Sequence, residues 1–402
     1  FTFGGSCMIG FGRTDRHFLA NWWWTIDRWL LLGIVSLMMV GFVMTFAASP
    51  VIAHRLEIDT YHFAYRQIVF LAMAFVGMII VSLLEPVQIR RLAMGLGVLA
   101  LGGVLLTLTI GSEIKGSTRW LRVMGFSIQP SEFLKPCFVI AVAWCFAMQN
   151  TRLDVSGRLI GFALLIVTCF LLSLQPDIGQ MILLTIVWTA MFFLAGGSYL
   201  FLSAMSLTGL GLLVFLYQSF PHFRFRIDRF LDPSLGGTYQ TDKALEAFRN
   251  GGLFGTGPGD GKIKHVLPDG HTDYVFAVAA EEFGLVVGLL IICIFAAIIL
   301  RSLIGLRDSR DHWIQLAGTG LIILFGMQTI INMAVNLNLM PPKGMTLPFI
   351  SYGGSSLLAL ALTMGMILSL TRHSSGQKRI LSDGSADEIP LHKTFNLKGG
   401  AL

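Results

Sequence analysis

The chain has 402 residues, 54% of them hydrophobic and only 13% charged, with a net charge of +6. A soluble domain carries about 25% charged residues. Half that fraction, confined to short breaks between long apolar runs, excludes one large soluble core and describes a polytopic membrane protein. No dense Lys/Arg tract and no run of stacking aromatics points to nucleic acid. Five cysteines, Cys7, Cys137, Cys145, Cys169 and Cys293, show no C-x-x-C or Cys/His spacing, so neither zinc nor a disulfide framework is expected.

In chain order, residues 1–28 read as a polar tail ending in an interfacial belt of Trp22, Trp23, Trp24 and Trp29. The first apolar run, 29–48, is too long for a signal-peptide core. Spanning a bilayer takes about 20 apolar residues, and ten segments qualify: 29–49, 66–84, 91–110, 133–149, 158–175, 179–196, 198–219, 274–300, 313–338 and 354–371. The expected fold is therefore all-α, a ten-helix transmembrane bundle over 29–371, with tails at 1–28 and 372–402. The Lys and Arg of the short loops favour both termini in the cytoplasm. Residues 220–273, between helices 7 and 8, then lie outside although they carry Arg224, Arg226, Arg229, Lys243, Arg249, Lys262 and Lys264. Within them 239–249 reads as an amphipathic helix on the interface, with Ala244, Leu245 and Phe248 on one face.

Chemistry is concentrated where that loop meets helix 8, in His271-Thr272-Asp273-Tyr274. Thr272 or Asp273 can be a helix cap. Alternatively, Asp273, partly desolvated at the outer interface, is suited to act as a base. Glu281 and Glu282 follow inside helix 8, about 12 Å below Asp273 at 1.5 Å per residue. Carboxylates at that depth face a partner or a polar cavity. Glu132 and Lys135 share one face of helix 4, where Lys135 can reach a phosphate and Glu132 can hold it. Asp177, in Gln-Pro-Asp, reads most simply as a cap for helix 6. Arg119 and Trp120, in the outer segment Lys115–Trp120, are either an interfacial anchor or a headgroup contact. Gly251, Gly252, Gly255, Gly257, Gly259 and Gly261 form no Walker loop. With Lys262 and Lys264 their amides can cradle a diphosphate, or they serve as a flexible lead-in to Asp273. Between helices 9 and 10, Asn338 to Ser356 carries three prolines, three glycines and the single charge of Lys343. Such broken backbone is tolerated at membrane depth only when buried in protein or lining a cavity.

Together these motifs resemble the SEDS family of bacterial cell-wall polymerases. The resemblance covers 29–371. Its most specific part is the run from Pro341 to Ser356, including Gly344, Pro348, Ser351, Gly353 and Gly354. Asn338 departs from the Gly or Thr expected there. Details such as 225–233 look more like the family's division members than its elongation members. The resemblance implies a peptidoglycan glycosyltransferase that polymerises lipid II on the outer face of the bacterial inner membrane, at the septum. Asp273 is the implied key catalytic residue. Lys135, Glu132, Arg119, Trp120, His271, Lys343, Ser351, Asp177, Lys262 and Lys264 are expected on the substrate side. Glu281, Glu282 and the Pro341–Gly354 run are expected to wall the cavity. Implied partners are a class B penicillin-binding protein (an FtsI-like transpeptidase), other division membrane proteins and membrane lipid. A Mg2+ or Mn2+ ion near Asp273 is an open expectation, with no other cofactor. The alternatives are a lipid II flippase or a non-catalytic division scaffold.

Overall fold

The computed structural model describes residues 18–55, 61–114, 117–123, 125–149, 156–219, 224, 228, 232, 239–307 and 309–382. Cys7, Lys115, Arg226, Arg229 and the tail from 383 onward lie outside these residues, and so do the expectations placed on them.

Where lipid offers no hydrogen bonds, a long apolar segment must satisfy its backbone internally, and each predicted span forms a helix. These are α2 (Arg28–Arg55), α3 (His62–Leu83), α4 (Pro86–Ile110), α5 (Pro130–Gln149), α6 (Gly157–Leu174), α7 (Ile178–Leu194), α8 (Tyr199–Ser219), α10 (Val275–Leu306), α11 (His312–Asn336) and α12 (Gly354–Ser382). Eight are long and apolar enough to cross a membrane. Ile178–Leu194 and Tyr199–Gly211 are shorter apolar helices. The membrane-length stretches of α5, α11 and α12 are 72%, 72% and 89% buried, against 22% for α4. The first three therefore make the inner bundle, and α4 is among the helices facing outward.

Several features differ from the expectation. The fold is not purely helical. After α4 the chain forms an antiparallel sheet of β1 (Ser112–Ile114), β2 (Ser117–Val123) and β3 (Phe126–Ile128), in that order. β2 carries the β-branched and aromatic residues that suit a pleated surface. The N-terminal segment ends in a short helix, α1 (Phe18–Thr25), docked by Trp22, whose Nε1–H donates to Ser82 Oγ at 2.9 Å. α12 continues beyond 371 to Ser382. α9 (Tyr239–Gly251) buries Thr241, Ala244, Ala247 and Gly251 against α10 rather than laying Leu245 and Phe248 into lipid.

The glycine-rich stretch has a packing role that the sequence did not show. It is packed against a break in α10, where Gly284 has φ 80° and ψ 177°. That break frees backbone groups, and the loop takes them up. Thr256 and Gly257 N–H donate to the carbonyls of Glu281 and Glu282, and Leu285 and Val286 N–H donate to those of Gly252 and Leu253. A Cβ on Gly255 would stand 2.2 Å from the Glu282 carbonyl, and one on Gly284 would stand 2.3 Å from that of Leu253. The chains approach so closely that only glycine fits.

Candidate active site

Beside this packed loop, two acidic clusters form within fourteen residues of sequence. The first is sealed. Glu281 Oε1 accepts the Ile263 N–H at 2.8 Å and Asn250 Nδ2 at 3.3 Å, and its Oε2 accepts the Lys264 N–H at 3.1 Å. Lys264 Nζ pairs with Glu282 at 2.5 Å and donates to the carbonyls of Gly259 and Ala47. All three side chains are buried. Twenty residues, about 30 Å of helix, separate Glu281 from Arg301, which pairs with Asp27 at the far end of the bundle. The pair thus lies about one hydrocarbon thickness along α10 from that end. Lys264, expected to face substrate, is instead committed to Glu282, because a buried ammonium requires a counter-charge. Lys262 is exposed and does not line the cavity described next.

The second cluster is open. Asp269 adopts a left-handed φ of 55°, which Asp tolerates. Its carbonyl accepts the N–H groups of Thr272, Asp273 and Tyr274 at 3.1, 3.0 and 3.2 Å, a tight turn that sets Asp273 ahead of α10. Neither Thr272 nor Asp273 holds the cap position of α10. The cap residue is Tyr274, without a side-chain cap bond, and the Ala277 N–H donates to Asn336 Oδ1 at 3.1 Å. Asp273 lines a cavity of about 320 Å3 with Gln240, Asp269, Asn332, Lys343 and Gly344. Gly344 has φ 35°, and its missing Cβ would stand 3.6 Å from Asp273 Oδ2. Burial holds the Lys343 ammonium below its usual pKa. Burial, then the Asp273 and Asp269 carboxylates, push the Tyr274 phenol up. One lysine thus faces two carboxylates in a partly desolvated space.

The 341–353 run is non-helical and is buried in protein over 347–351, with Pro348 inside and Pro341 half-buried. Ser351 braces it: its hydroxyl donates to the Thr272 carbonyl at 2.5 Å and accepts the Leu347 N–H at 2.7 Å. Gly353 has ordinary space around it, whereas Gly354 lies against the Phe70 ring. The His271 ring packs between Phe63 and Tyr352, with centroids 6.0 and 5.8 Å away. Asn338, the departure from the expected motif, ends α11 at φ 56°. The Leu339 N–H reaches the Ala334 carbonyl and the Asn338 N–H that of Val335, a Schellman turn that Asn accommodates next best after Gly.

Glu132 and Lys135 do meet, at 2.8 Å, but both are buried, and the void beside them is about 10 Å3, room for about one water. They brace the cavity wall rather than line it. Lys135 Nζ donates to Gln328 Oε1 at 3.1 Å, and Gln328 Nε2 donates to the Thr346 carbonyl at 3.2 Å. On the other side Gln180 Nε2 donates to Glu132 at 2.8 Å, and its N–H donates to Asp177 Oδ1 at 3.3 Å. Asp177 is thus the expected cap of α7, and it also pairs with Arg119 at 3.1 Å. Burial raises the Asp177 pKa, opposed chiefly by that guanidinium. Arg119 is further held by the carbonyls of Gln175 and Pro176. Trp120 sits half-buried in β2 opposite Ser112 and does not line the cavity.

Sequence reasoning missed Gln328, Asn332 and Asn336. Their signal was present: amides at every fourth position of an apolar helix share one face, and polar groups inside a bundle are usually engaged.

These features define a multi-pass helical membrane protein whose acidic cavity lies at one end of the bundle, walled by a broken loop. The chain belongs to the cell cycle protein family of FtsW, RodA and SpoVE, which matches residues 28–376. It is 45% identical over 370 residues to the probable peptidoglycan glycosyltransferase FtsW of Caulobacter vibrioides, covering 91% of this chain and 94% of that relative. It is 35% identical over 363 residues to the protein of the same name from Coxiella burnetii, covering 86% and 96%. Among solved structures it is similar to a chain of a peptidoglycan synthase complex that coordinates polymerization and crosslinking, with a TM-score of 0.71, 26% identity and coverage of 87% and 98%. The rod shape determining protein RodA of Thermus thermophilus gives 0.64, 26%, 87% and 98%.

Proposed function

We propose that this chain is a peptidoglycan glycosyltransferase that polymerises lipid II at the outer face of the bacterial inner membrane during division. Asp273 takes the proton from the 4-hydroxyl of an acceptor GlcNAc. That oxygen bonds to C1 of a donor MurNAc, the C1–O bond to undecaprenyl diphosphate breaks, and the electron pair leaves with the diphosphate in one inverting displacement. Lys343 offsets charge developing on the leaving group, where a preplaced cation in a partly dry site is most effective. The observation that carries the reading is that Asp273 and Lys343 line one cavity. The names of the relatives support the same activity.

Among the described residues no cluster of three or more His, Cys, Asp or Glu is arranged to hold a metal. Asp269 and Asp273 nevertheless form a donor set that fits Mg2+ or Mn2+ shared with a substrate diphosphate, since such ions are often held by one or two carboxylates plus phosphate. An ion there would supply further positive charge to the leaving group.

The solved synthase complex couples polymerization to crosslinking, which supports a class B penicillin-binding protein as partner. The basic bias of the short loops supports cytoplasmic termini, and division supports a septal location. Fluorescent lipid II supplied to purified protein in detergent tests the activity, because polymerisation needs no membrane sidedness. Glycan strands are expected. Transport across vesicles without any polymer would favour the flippase reading instead.

A further inference from the structure

We propose that Asn332 is a positioning residue that fixes the separation between the base and the cation of the cavity. The proposal rests on the reading of Asp273 as the base. Asn332 Nδ2 donates to the Asp273 carbonyl at 2.9 Å and to the Met345 carbonyl at 2.6 Å. An amide nitrogen carries two protons, and here one serves each wall: the turn that bears Asp273, and the loop that bears Lys343 two residues before Met345. Asn332 is 1% exposed and lies at the cavity edge between those walls.

Its orientation is determined. Asn336 Nδ2 donates to the Asp273 carbonyl and the Asn332 carbonyl, both at 2.9 Å, and lies 3.3 Å from Asn332 Oδ1. Asn336 Oδ1 is occupied by the Ala277 N–H. Turning the Asn332 amide over would set its oxygen against two carbonyl oxygens and its NH2 against that of Asn336. The amide therefore holds one orientation, and the two walls hold one spacing. Gly344 on the loop wall lies next to the turn wall, since a Cβ there would make ordinary contact with Asp273 Oδ2 at 3.6 Å. The Asp269 carbonyl closes the Asp273 turn from within, and this pair of amides ties it to α11.

A structural staple would lose stability when cut. A positioning residue loses turnover in the protein that remains folded. The test measures lipid II polymerisation by Asn332→Ala, normalised to the monodisperse folded fraction, over a range of lipid II concentrations. Misplacement by about 1 Å can cost about 100-fold, so kcat is expected to fall about 10- to 100-fold with KM changed less than about threefold. If the alanine variant does not fold, Asn332→Thr, with one donor for two carbonyls, is judged by the same criteria. Unchanged kcat, a loss explained by the unfolded fraction, or a loss confined to KM each overturns the proposal. Asp273→Asn is run in parallel. If it polymerises normally, the base reading itself falls. If it is inactive while Asn332 variants keep full kcat, only this inference falls.

Discussion

The same loop builds two acidic clusters that behave in opposite ways. Glu281 and Glu282 are buried, and between them they take two backbone amides, an asparagine and a lysine. Asp269 and Asp273 face a 320 Å3 cavity with Lys343 across it. Residue type does not separate them; burial and the presence of a cavity do. A carboxylate given its partners by its own fold holds the loop in place. A carboxylate set at a cavity beside a half-buried lysine is placed for a substrate.

The largest effect expected from breaking this contrast is in the sealed cluster. Glu282→Gln leaves Lys264 buried without its counter-charge and should cost about 3–5 kcal/mol, read as a lowered midpoint of thermal unfolding in detergent. A loss below about 1 kcal/mol would mean that the cluster does not hold the loop. Next comes Gly284→Ala. Its backbone conformation alone costs on the order of 1–3 kcal/mol, and the close Leu253 carbonyl adds to it. The expected result is earlier protease cleavage within 252–257, and unchanged cleavage would contradict the packed-loop account.

In the open cluster the expected sign reverses. The folded-state pKa of Lys343 is depressed by burial from 10.5. Folding therefore works against its charge below that folded pKa, and the cost disappears as pH rises toward 10.5. Lys343→Met should raise the melting temperature at neutral pH, with the gain fading at alkaline pH, while polymerisation falls. A variant that is less stable at pH 7 would show that Lys343 belongs to the packed scaffold. The smallest effect is expected at exposed Lys262. Its replacement by alanine should stay within about 0.5 kcal/mol and leave polymerisation nearly unchanged.

The helices were legible because a 20-residue apolar run has few alternatives in lipid. Asp273 stood out because a charged junction beside such a run is rare. The sheet at 112–128 was not legible, because two of its three strands have only three residues and so carry almost no period. Nor was the role of Gly255, which depends on a backbone nearly thirty residues away. Lys264 and Lys343 illustrate the same limit. In sequence both are cations near glycines, and only the fold shows that one is paired and the other lines a cavity. The amides Gln328, Asn332 and Asn336 were readable from their spacing alone.

On this reading the cavity-lining carboxylate does chemistry and the buried one holds structure. The most direct measurement compares Asp273→Asn and Glu282→Gln in the same lipid II polymerisation and thermal unfolding assays. Asp273→Asn is expected to keep its melting temperature and lose at least about 100-fold in turnover, the scale of a missing general base. Glu282→Gln is expected to lose stability and to keep turnover per folded molecule. Normal glycan strands from folded Asp273→Asn protein would contradict the account.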